Sequence, residues 1–332
     1  MSEAGRTNNA EHWARIGERG VFAGLHIMLW SYRVLGRSAF ALLLYPVIGY
    51  FFIFGIGARR ASRDFLSRVH ADPRGCKTLG DSPGWRQSYR HLFNFGDAVL
   101  DKLTAWAGAM GEDDVVFENR AVFDELQKSG RGGVLVASHL GNMEVCRAMG
   151  QLSLGLKLNV LVHTKHAPNF NRLLTRVDPE SSISIIQTTE IDPAMAMMLR
   201  DRIAQGEFVV IVGDRMPVTP SSRYTWANFF GKPAPFPQGP FILSALLECP
   251  VQLIFCLKRA GRYHIIFEHF SDKITIPRRK RAEILEDCIS RYAARLEHYC
   301  ATDPYQWFNF FDFWGQADTI ALNHNSKSGS KP

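Results

Sequence analysis

Short apolar runs alternate with stretches of helical periodicity through most of the chain after about residue 70. The apolar runs that predict strands are GVLVAS, KLNVLVHT, SISIIQ, EFVVIVGD, VQLIFCLKR and YHIIFEHF. The longest helical patterns are RQSYRHLFNFGDAVLDKLTAWAG and RAEILEDCISRYAARLEHYC. Alternation of strands and helices is typical of an α/β fold. We therefore predict a mixed, mostly covered sheet with flanking helices.

Two stretches set the expected limits of this domain. DPRGCKTLGDSPG is rich in turn-forming residues, which predicts a boundary near residue 70. The polar ending NHNSKSGSKP predicts a disordered tail. The sequence thus divides into an N-terminal region over 1–70, a main domain over 71–318 and a tail over 319–332. Within the main domain, we predict a long loop between residues 215 and 239.

A second apolar pattern lies near the N-terminus. Residues 38–57, SAFALLLYPVIGYFFIFGIG, carry no charge and are flanked by arginines on both sides. Roughly 20 apolar residues suffice to span a bilayer. Pro46, three glycines and the symmetric arginines leave open a spanning helix, a hairpin, a shallow insertion or a buried core helix. The upstream GVFAGLHIMLWSYRVL mixes apolar and cationic residues like an interfacial helix, so we predict a membrane-contacting helical segment.

The charge of the chain indicates the kind of partner it meets. The formal net charge is +7, which favours lipid head groups, nucleic acid or an acidic carrier protein. Nucleic acid is disfavoured because the basic residues are not interleaved with stacking positions. The run PRRKRAE at 277–283 is interpreted as a dock for an acidic carrier or anionic lipid, or as a solvated loop. Six unpatterned cysteines indicate free thiols in a reducing cytoplasm.

The stretch SHLGNMEVCR carries the candidate chemistry. His139 follows the predicted strand GVLVAS, and Glu144 comes five positions later, after Gly141, which permits a tight turn. Sites in open α/β sheets gather where strands end. A carboxylate bonded to one ring nitrogen leaves the other as a base, so this spacing predicts that Glu144 orients His139. The alternative is a histidine that caps a helix or bonds buried backbone.

Other catalytic signatures are absent from the sequence. No G-x-S-x-G elbow follows a predicted strand, and the sequence has no Walker A loop and no G-x-G-x-x-G. His163 and His166 form an isolated H-x2-H, which is a weak metal signal, so we predict no metal site.

SHLGNME resembles the first motif of the lysophospholipid acyltransferase superfamily. More narrowly, VGDRMP, NFFGKPAPFPQGPFILSALLECPV and DPYQWFNFFDFW are similar to later blocks of the bacterial lipid A biosynthesis (lauroyl/myristoyl) acyltransferases. The resemblance covers roughly residues 10–315. HWARIGERG and QWFNFFDFW look more like a separate branch, associated with aryl-polyene or glycolipid-like pathways, which concerns the lipid that is acylated more than the reaction. The aromatic run WFNFFDFW is expected to pack as a lid or core plug near the site.

The resemblance implies roles for individual residues. His139 would be the general base, Glu144 its partner, and no covalent intermediate would form. The candidates for stabilising the oxyanion or binding substrate are Asn142, Asp214, Arg215, Arg172 and Arg176, with backbone N–H groups near Gly231 as further oxyanion donors. The candidates for the acyl pocket are Phe229, Phe230 and Gly231. The alternative for these residues is ordinary packing, capping or a solvated surface.

The resemblance also implies an activity. The expected enzyme moves a fatty acyl group from acyl carrier protein, or from coenzyme A, to a hydroxyl of a lipid or glycolipid, with no metal or redox cofactor. It would work at the cell inner membrane with its active site on the cytoplasmic side. Two alternatives stay open: an acyl-thioester hydrolase that uses the same pair of His139 and Glu144 with water, and a non-catalytic membrane partner protein.

Overall fold

The chain was analysed as a computed structural model. It divides into two compact units, Met1–Phe51 and Phe52–Pro332. The described residues are Gly36, Leu42, 44–106, 108–162, 183–187, 192–216 and 223–315.

Three helices precede the sheet in the second unit. They are α1 (Ile56–Ala71), α2 (Pro73–Leu79) and α3 (Trp85–Trp106). The prediction of turns over this stretch is therefore wrong in part, because Pro73–Leu79 is helical. The side chain of Asp72 caps α2 by accepting a hydrogen bond from the Arg74 backbone N–H at 2.8 Å.

The predicted boundary near residue 70 also moves. Phe65, Leu66 and Val69 of α1 are buried in the same apolar core as the sheet. Burial of these side chains makes α1 part of the sheet-bearing unit, which begins at Phe52.

The main sheet is mixed, as the sequence predicted. Its strands within the described residues are β1 (Val115–Glu118), β2 (Val134–Ala137), β3 (Leu158–Val162), β4 (Ile183–Gln187), β5 (Phe208–Val212), β8 (Val251–Arg259) and β9 (Arg262–Ser271). These seven strands lie in the order β1–β9–β8–β2–β5–β3–β4. Strands β8, β2, β5, β3 and β4 are mutually parallel, whereas β9 runs antiparallel to β8 and β1 runs parallel to β9.

Helices cover both faces of the sheet. Along β2, Val134 and Val136 lie in one apolar core, whereas Leu135 and Ala137 lie in the other. This alternation follows the two-residue period of a strand, and it confirms the prediction of a covered sheet. The helices that follow α3 are α4 (Arg120–Lys128), α5 (Met143–Leu154), α6 (Pro193–Ala204), α7 (Gly239–Leu247) and α8 (Arg281–Thr302).

The long loop predicted after residue 215 contains a hairpin instead. Strands β6 (Tyr224–Phe229) and β7 (Lys232–Pro237) pair antiparallel around a tight turn. Phe230 and Gly231 both have positive φ, as a two-residue hairpin turn requires. Prolines at alternate positions of β7 hid the strand in the sequence. They are tolerated because, among the strands that the structure describes, β7 pairs with β6 alone and is an edge strand.

The apolar N-terminal segment falls partly outside the described residues. Residues 44–54 are helical. Among the helices that the structure describes, none combines the length and the apolar character needed to cross a membrane. Large apolar side chains are nevertheless exposed along this stretch: Leu42, Tyr45, Val47, Tyr50, Phe51, Ile53, Phe54 and Ile56.

Candidate active site

The position of His139 follows from the strand before it. All four residues of β2 are buried, and the chain leaves the carboxyl edge of the sheet through Ser138. The His139 side chain is 34% exposed, so the ring lies at the boundary between the core and solvent. A histidine at this edge of a parallel sheet is well placed to meet a substrate.

The partner of His139 comes from the neighbouring strand. Ala137 of β2 pairs with Val212 of β5 in parallel register. Two residues beyond this pair, on each strand, lie His139 and Asp214. The imidazole Nδ1 is 2.8 Å from Oδ1 of Asp214, and the His139 backbone N–H donates to Oδ2 at 2.9 Å.

The prediction that Glu144 orients the imidazole is wrong. Glu144 lies in the first turn of α5, where its carboxylate accepts from Nε of Arg147 at 2.9 Å and lies 3.3 Å from Nζ of Lys102. Glu144 is near His139 in sequence, but the helix directs its side chain to these two cations. Asp214 takes the orienting position.

Asp214 is held in its ionised form. The side chain is fully buried, and burial opposes ionisation. The electrostatic attraction of His139, its hydrogen bonds and the charge of Arg215 together outweigh burial, so the pKa of Asp214 lies below its usual range. An ionised Asp214 accepts the proton on Nδ1 of His139. This leaves Nε2 as the basic nitrogen, and Nε2 makes no hydrogen bond within the described part of the chain.

Residues 306–308 pack against the loop that carries His139. Leu140 and Trp307 form an antiparallel β-bridge. On either side of it, the Gly141 N–H donates to the Gln306 carbonyl at 2.8 Å, and the Phe308 N–H donates to the His139 carbonyl at 3.1 Å. The indole Nε1 of Trp307 donates to Oδ2 of Asp214 at 2.9 Å. The aromatic segment therefore packs against the site, as the sequence predicted.

Gly141 is required where the chain turns. Its φ is +77°, which favours glycine, and an added Cβ would lie 1.8 Å from the Cys256 carbonyl oxygen. The close approach lets the Asn142 N–H donate to that same carbonyl at 2.9 Å. The loop that carries His139 is thus attached to β8 as well as to residues 306–308.

Arg215 lies next to the dyad. Its Nη2 donates to the Phe308 carbonyl at 2.7 Å, and its Nε donates to Oδ1 of Asn309 at 2.5 Å. Burial lowers the pKa of Arg215, although the charge of Asp214 opposes this effect. The guanidinium is therefore fixed on the aromatic segment beside Asp214.

Asn142 has a structural position. Its Nδ2 donates to the Ala98 carbonyl at 2.8 Å and its Oδ1 accepts from the Val145 N–H at 3.4 Å. These bonds connect α3 to the start of α5.

Phe229, Phe230 and Gly231 lie at the tip of the β6–β7 hairpin. The Phe229 ring is fully buried and lies 5.3 Å from the Trp307 ring, centre to centre. The Phe230 N–H donates to Glu297. The hairpin tip therefore packs against Trp307 within the core. Arg172 and Arg176 lie outside the described residues, as do His163 and His166.

The basic run at 277–283 lies at the opposite edge of the sheet from His139. Strand β9 ends at Ser271 beside Val251, and Val251 pairs with Val134 at the start of β2. Helix α8 then rises from Arg281 to Tyr292, whose hydroxyl donates to the Ala137 carbonyl at 2.9 Å. Eleven helical residues rise about 16 Å. A partner bound to this run would therefore lie at the edge of the sheet where β2 begins, whereas the dyad lies at the edge where β2 ends.

The fold and the dyad together define a class of protein. A solvent-reaching histidine held by a buried carboxylate at the end of a parallel strand has an arrangement from which a general base can act. Trp307 and His91, whose Nε2 donates to the Trp307 carbonyl at 2.9 Å, complete the site from behind. The sequence signal for Trp307 was the Gln–Trp pair of the aromatic segment, whereas nothing in the pattern marked His91.

The chain matches the family of bacterial lipid A biosynthesis acyltransferases over residues 94–315, which is more than half of its length. It belongs to this family, and the resemblance seen in the sequence is confirmed. The protein is accordingly an acyltransferase. No curated protein matches the chain.

Proposed function

We propose that the enzyme transfers a fatty acyl group from an acyl thioester to a hydroxyl of a lipid or glycolipid, with His139 as the general base. The observation that carries this proposal is the pairing of His139 with Asp214, which leaves Nε2 as the basic nitrogen on a partly exposed ring. The family supports acyl transfer in which a lipid takes part. The proposed donor is acyl carrier protein, with coenzyme A as the second choice.

The proposed reaction follows from the two carboxylate contacts. Nε2 of His139 takes the proton of the lipid hydroxyl while Asp214 accepts the hydrogen bond from Nδ1. The hydroxyl oxygen then attacks the thioester carbonyl and forms a tetrahedral oxyanion. Collapse of this intermediate breaks the carbon–sulfur bond, and the imidazolium returns its proton to the leaving thiolate. No covalent acyl-enzyme forms in this route, and its proton transfers need neither a metal nor a redox cofactor.

The oxyanion requires hydrogen-bond donors in place before the reaction. Arg215 is the strongest candidate, because it lies beside Asp214 and two hydrogen bonds to residues 308–309 fix its orientation. Asn142 is a weaker candidate, since its amide already donates to Ala98. In the proposed mechanism, the guanidinium of Arg215 stabilises the negative charge that develops on the carbonyl oxygen.

Membrane contact is part of the proposal. Within the second unit, Ile53, Phe54 and Trp85 expose 62%, 68% and 64% of their surface. Exposed Arg60 and Arg86 supply positive charge near these apolar side chains along the chain. An apolar surface bordered by cations suits an anionic lipid interface. We place the enzyme on the cytoplasmic side of the cell inner membrane, where a lipid substrate and a carrier-bound acyl chain can both reach it.

One assay tests the proposal. Detergent-purified protein is incubated with acyl carrier protein thioesters and total bacterial lipid, with His139→Ala beside the wild type. Mass spectrometry then follows any lipid that gains one acyl group. The proposal expects such a lipid from the wild type and none from His139→Ala. Free fatty acid as the sole product would replace it with a hydrolase, and a product formed equally by both proteins would remove His139 as the base.

A further inference from the structure

The carboxylate of Asp214 has a third hydrogen-bond donor besides the two from His139. Oδ1 faces Nδ1 of His139, whereas Oδ2 accepts both the His139 backbone N–H and the indole N–H of Trp307 at 2.9 Å. Both partners of the indole bond are fully buried. In that setting, an unpaired carboxylate oxygen or indole N–H is costly, so the bond constrains how the carboxylate is turned.

Trp307 is itself fixed by its neighbours. Its ring lies 4.8 Å from Phe65, 4.9 Å from Phe313 and 5.3 Å from Phe229, measured between ring centres. Its carbonyl accepts a hydrogen bond from Nε2 of buried His91 at 2.9 Å. Packing and backbone contacts therefore leave the indole N–H with one direction, toward Asp214.

His91 is held in turn by two serines. Its Nδ1 accepts from the Ser62 hydroxyl at 3.0 Å, and Ser88 donates to the Ser62 oxygen at 3.0 Å. Burial lowers the pKa of His91 to about 4, so the ring is neutral at ordinary pH and donates through Nε2. A continuous chain of hydrogen bonds thus runs from α1 and α3, through Trp307, to the catalytic pair.

We propose that Trp307 is a positioning residue for acyl transfer, whose indole N–H holds the Asp214 carboxylate in the orientation that accepts the Nδ1 proton of His139. This inference rests on the proposed role of His139 as the base. Without the indole, Oδ2 keeps a single donor, and the carboxylate is free to tilt away from the imidazole plane. The hydrogen bond between Asp214 and His139 is then less well aligned, whereas the surfaces that bind substrate are unchanged.

Trp314 provides a matched control. It is also a buried tryptophan of the same aromatic segment, and its indole N–H donates to the Phe229 carbonyl at 3.2 Å instead of to Asp214. Trp307→Phe and Trp314→Phe therefore remove the same atoms and one hydrogen bond each. Only the first removes a bond to the catalytic carboxylate.

The test compares steady-state acyl transfer by the two variants across pH. For Trp307→Phe we expect a fall in kcat of about tenfold or more with KM within about twofold, since hydrogen bonds to charged groups have effects of this size. The acid limb of its pH–rate profile should move to lower pH, because a carboxylate that tilts away from the imidazole stabilises the protonated ring less. Trp314→Phe should keep the wild-type limb. Equal losses of kcat in both variants, with both acid limbs unmoved, would overturn the proposal.

A double-mutant cycle separates positioning from packing. In an Asp214→Asn background, Trp307→Phe should lower the residual rate by less than about twofold, because its effect passes through the carboxylate. A full tenfold loss in that background contradicts the proposal. If Trp307→Phe does not fold, benzothienylalanine at position 307 replaces the N–H with sulfur and keeps the ring shape, and the same outcomes apply.

Failure of the two proposals can be told apart. Acyl transfer that survives in His139→Ala removes the base role and the positioning role together. Transfer lost in His139→Ala, with Trp307→Phe indistinguishable from Trp314→Phe, removes the positioning role alone.

Discussion

His139 and Asp214 are 75 residues apart in the chain, yet two hydrogen bonds join them, one from the ring and one from the backbone. The backbone bond fixes where the carboxylate stands, and the ring bond fixes which imidazole nitrogen carries the proton. The pair therefore sets both the position and the tautomer of the proposed base.

Asp214→Asn should lower kcat by about 10³- to 10⁴-fold with little change in KM. The amide at position 214 donates toward Nδ1, which moves the imidazole proton to Nε2 and removes the base. The measurement is kcat for acyl transfer, with circular dichroism to confirm folding. A variant that retains a tenth of wild-type kcat would show that Asp214 does not set the tautomer.

Glu144→Gln should leave the acid limb of the pH–rate profile within about 0.3 pH unit of the wild type, because the carboxylate contacts cations and not the imidazole. Stability should fall by roughly 1–3 kcal/mol, since Arg147 is only 9% exposed and loses its charged partner. Urea unfolding and a pH series measure the two effects. An acid limb displaced as far as the one expected for Trp307→Phe would show that Glu144 acts on His139 after all.

Gly141→Ala should destabilise the protein by about 3 kcal/mol or more and abolish measurable acyl transfer. The added Cβ meets the Cys256 carbonyl, so the loop that carries His139 must move. Gly130→Ala is the control, because Gly130 also has positive φ but has nothing within 4 Å of an added Cβ. That variant should lose only about 1–2 kcal/mol and keep its activity. Equal losses in both would mean that the clash relaxes freely.

Stability should fall as pH drops from about 6.5 to about 4. His91 stays neutral in the folded protein until its pKa of about 4, whereas in the unfolded chain it takes up a proton near pH 6.5. The stability that a neutral His91 provides is therefore complete above pH 6.5 and is lost on acidification, by about 3 kcal/mol in total. His91→Gln keeps the Trp307 hydrogen bond without titrating. Denaturant unfolding should show a shallower pH slope for this variant, and identical slopes contradict the prediction.

Ile53→Ser and Phe54→Ser should each weaken binding to vesicles that contain anionic lipid by roughly tenfold, the loss expected from one large apolar side chain. Met197→Ser is the control, since Met197 is an equally exposed apolar residue on α6. Vesicle flotation measures the binding. Equal effects from all three substitutions would locate the membrane-contacting surface elsewhere.

The sequence predicted the strand-end histidine and most of the sheet, because buried strands have continuous apolar runs. It did not reveal the partner of His139. Local spacing favours Glu144, which is close along the chain, whereas Asp214 is close in space only because β2 and β5 are neighbours with Ala137 opposite Val212. Strand order is set by packing across the whole domain, so no local pattern contains it. The hairpin at residues 224–237 was missed for a different reason, since its prolines contradict the usual composition of a strand.

The bridge between Leu140 and Trp307 also has a consequence for the timing of synthesis. Asp214 is translated after His139, and Trp307 is translated only after every strand of the sheet that the structure describes. Domains fold as their chains emerge, the N-terminal parts first. A nascent chain therefore carries His139 and Asp214 before it carries the indole that binds the carboxylate, and the three side chains come together only once residue 307 has been translated.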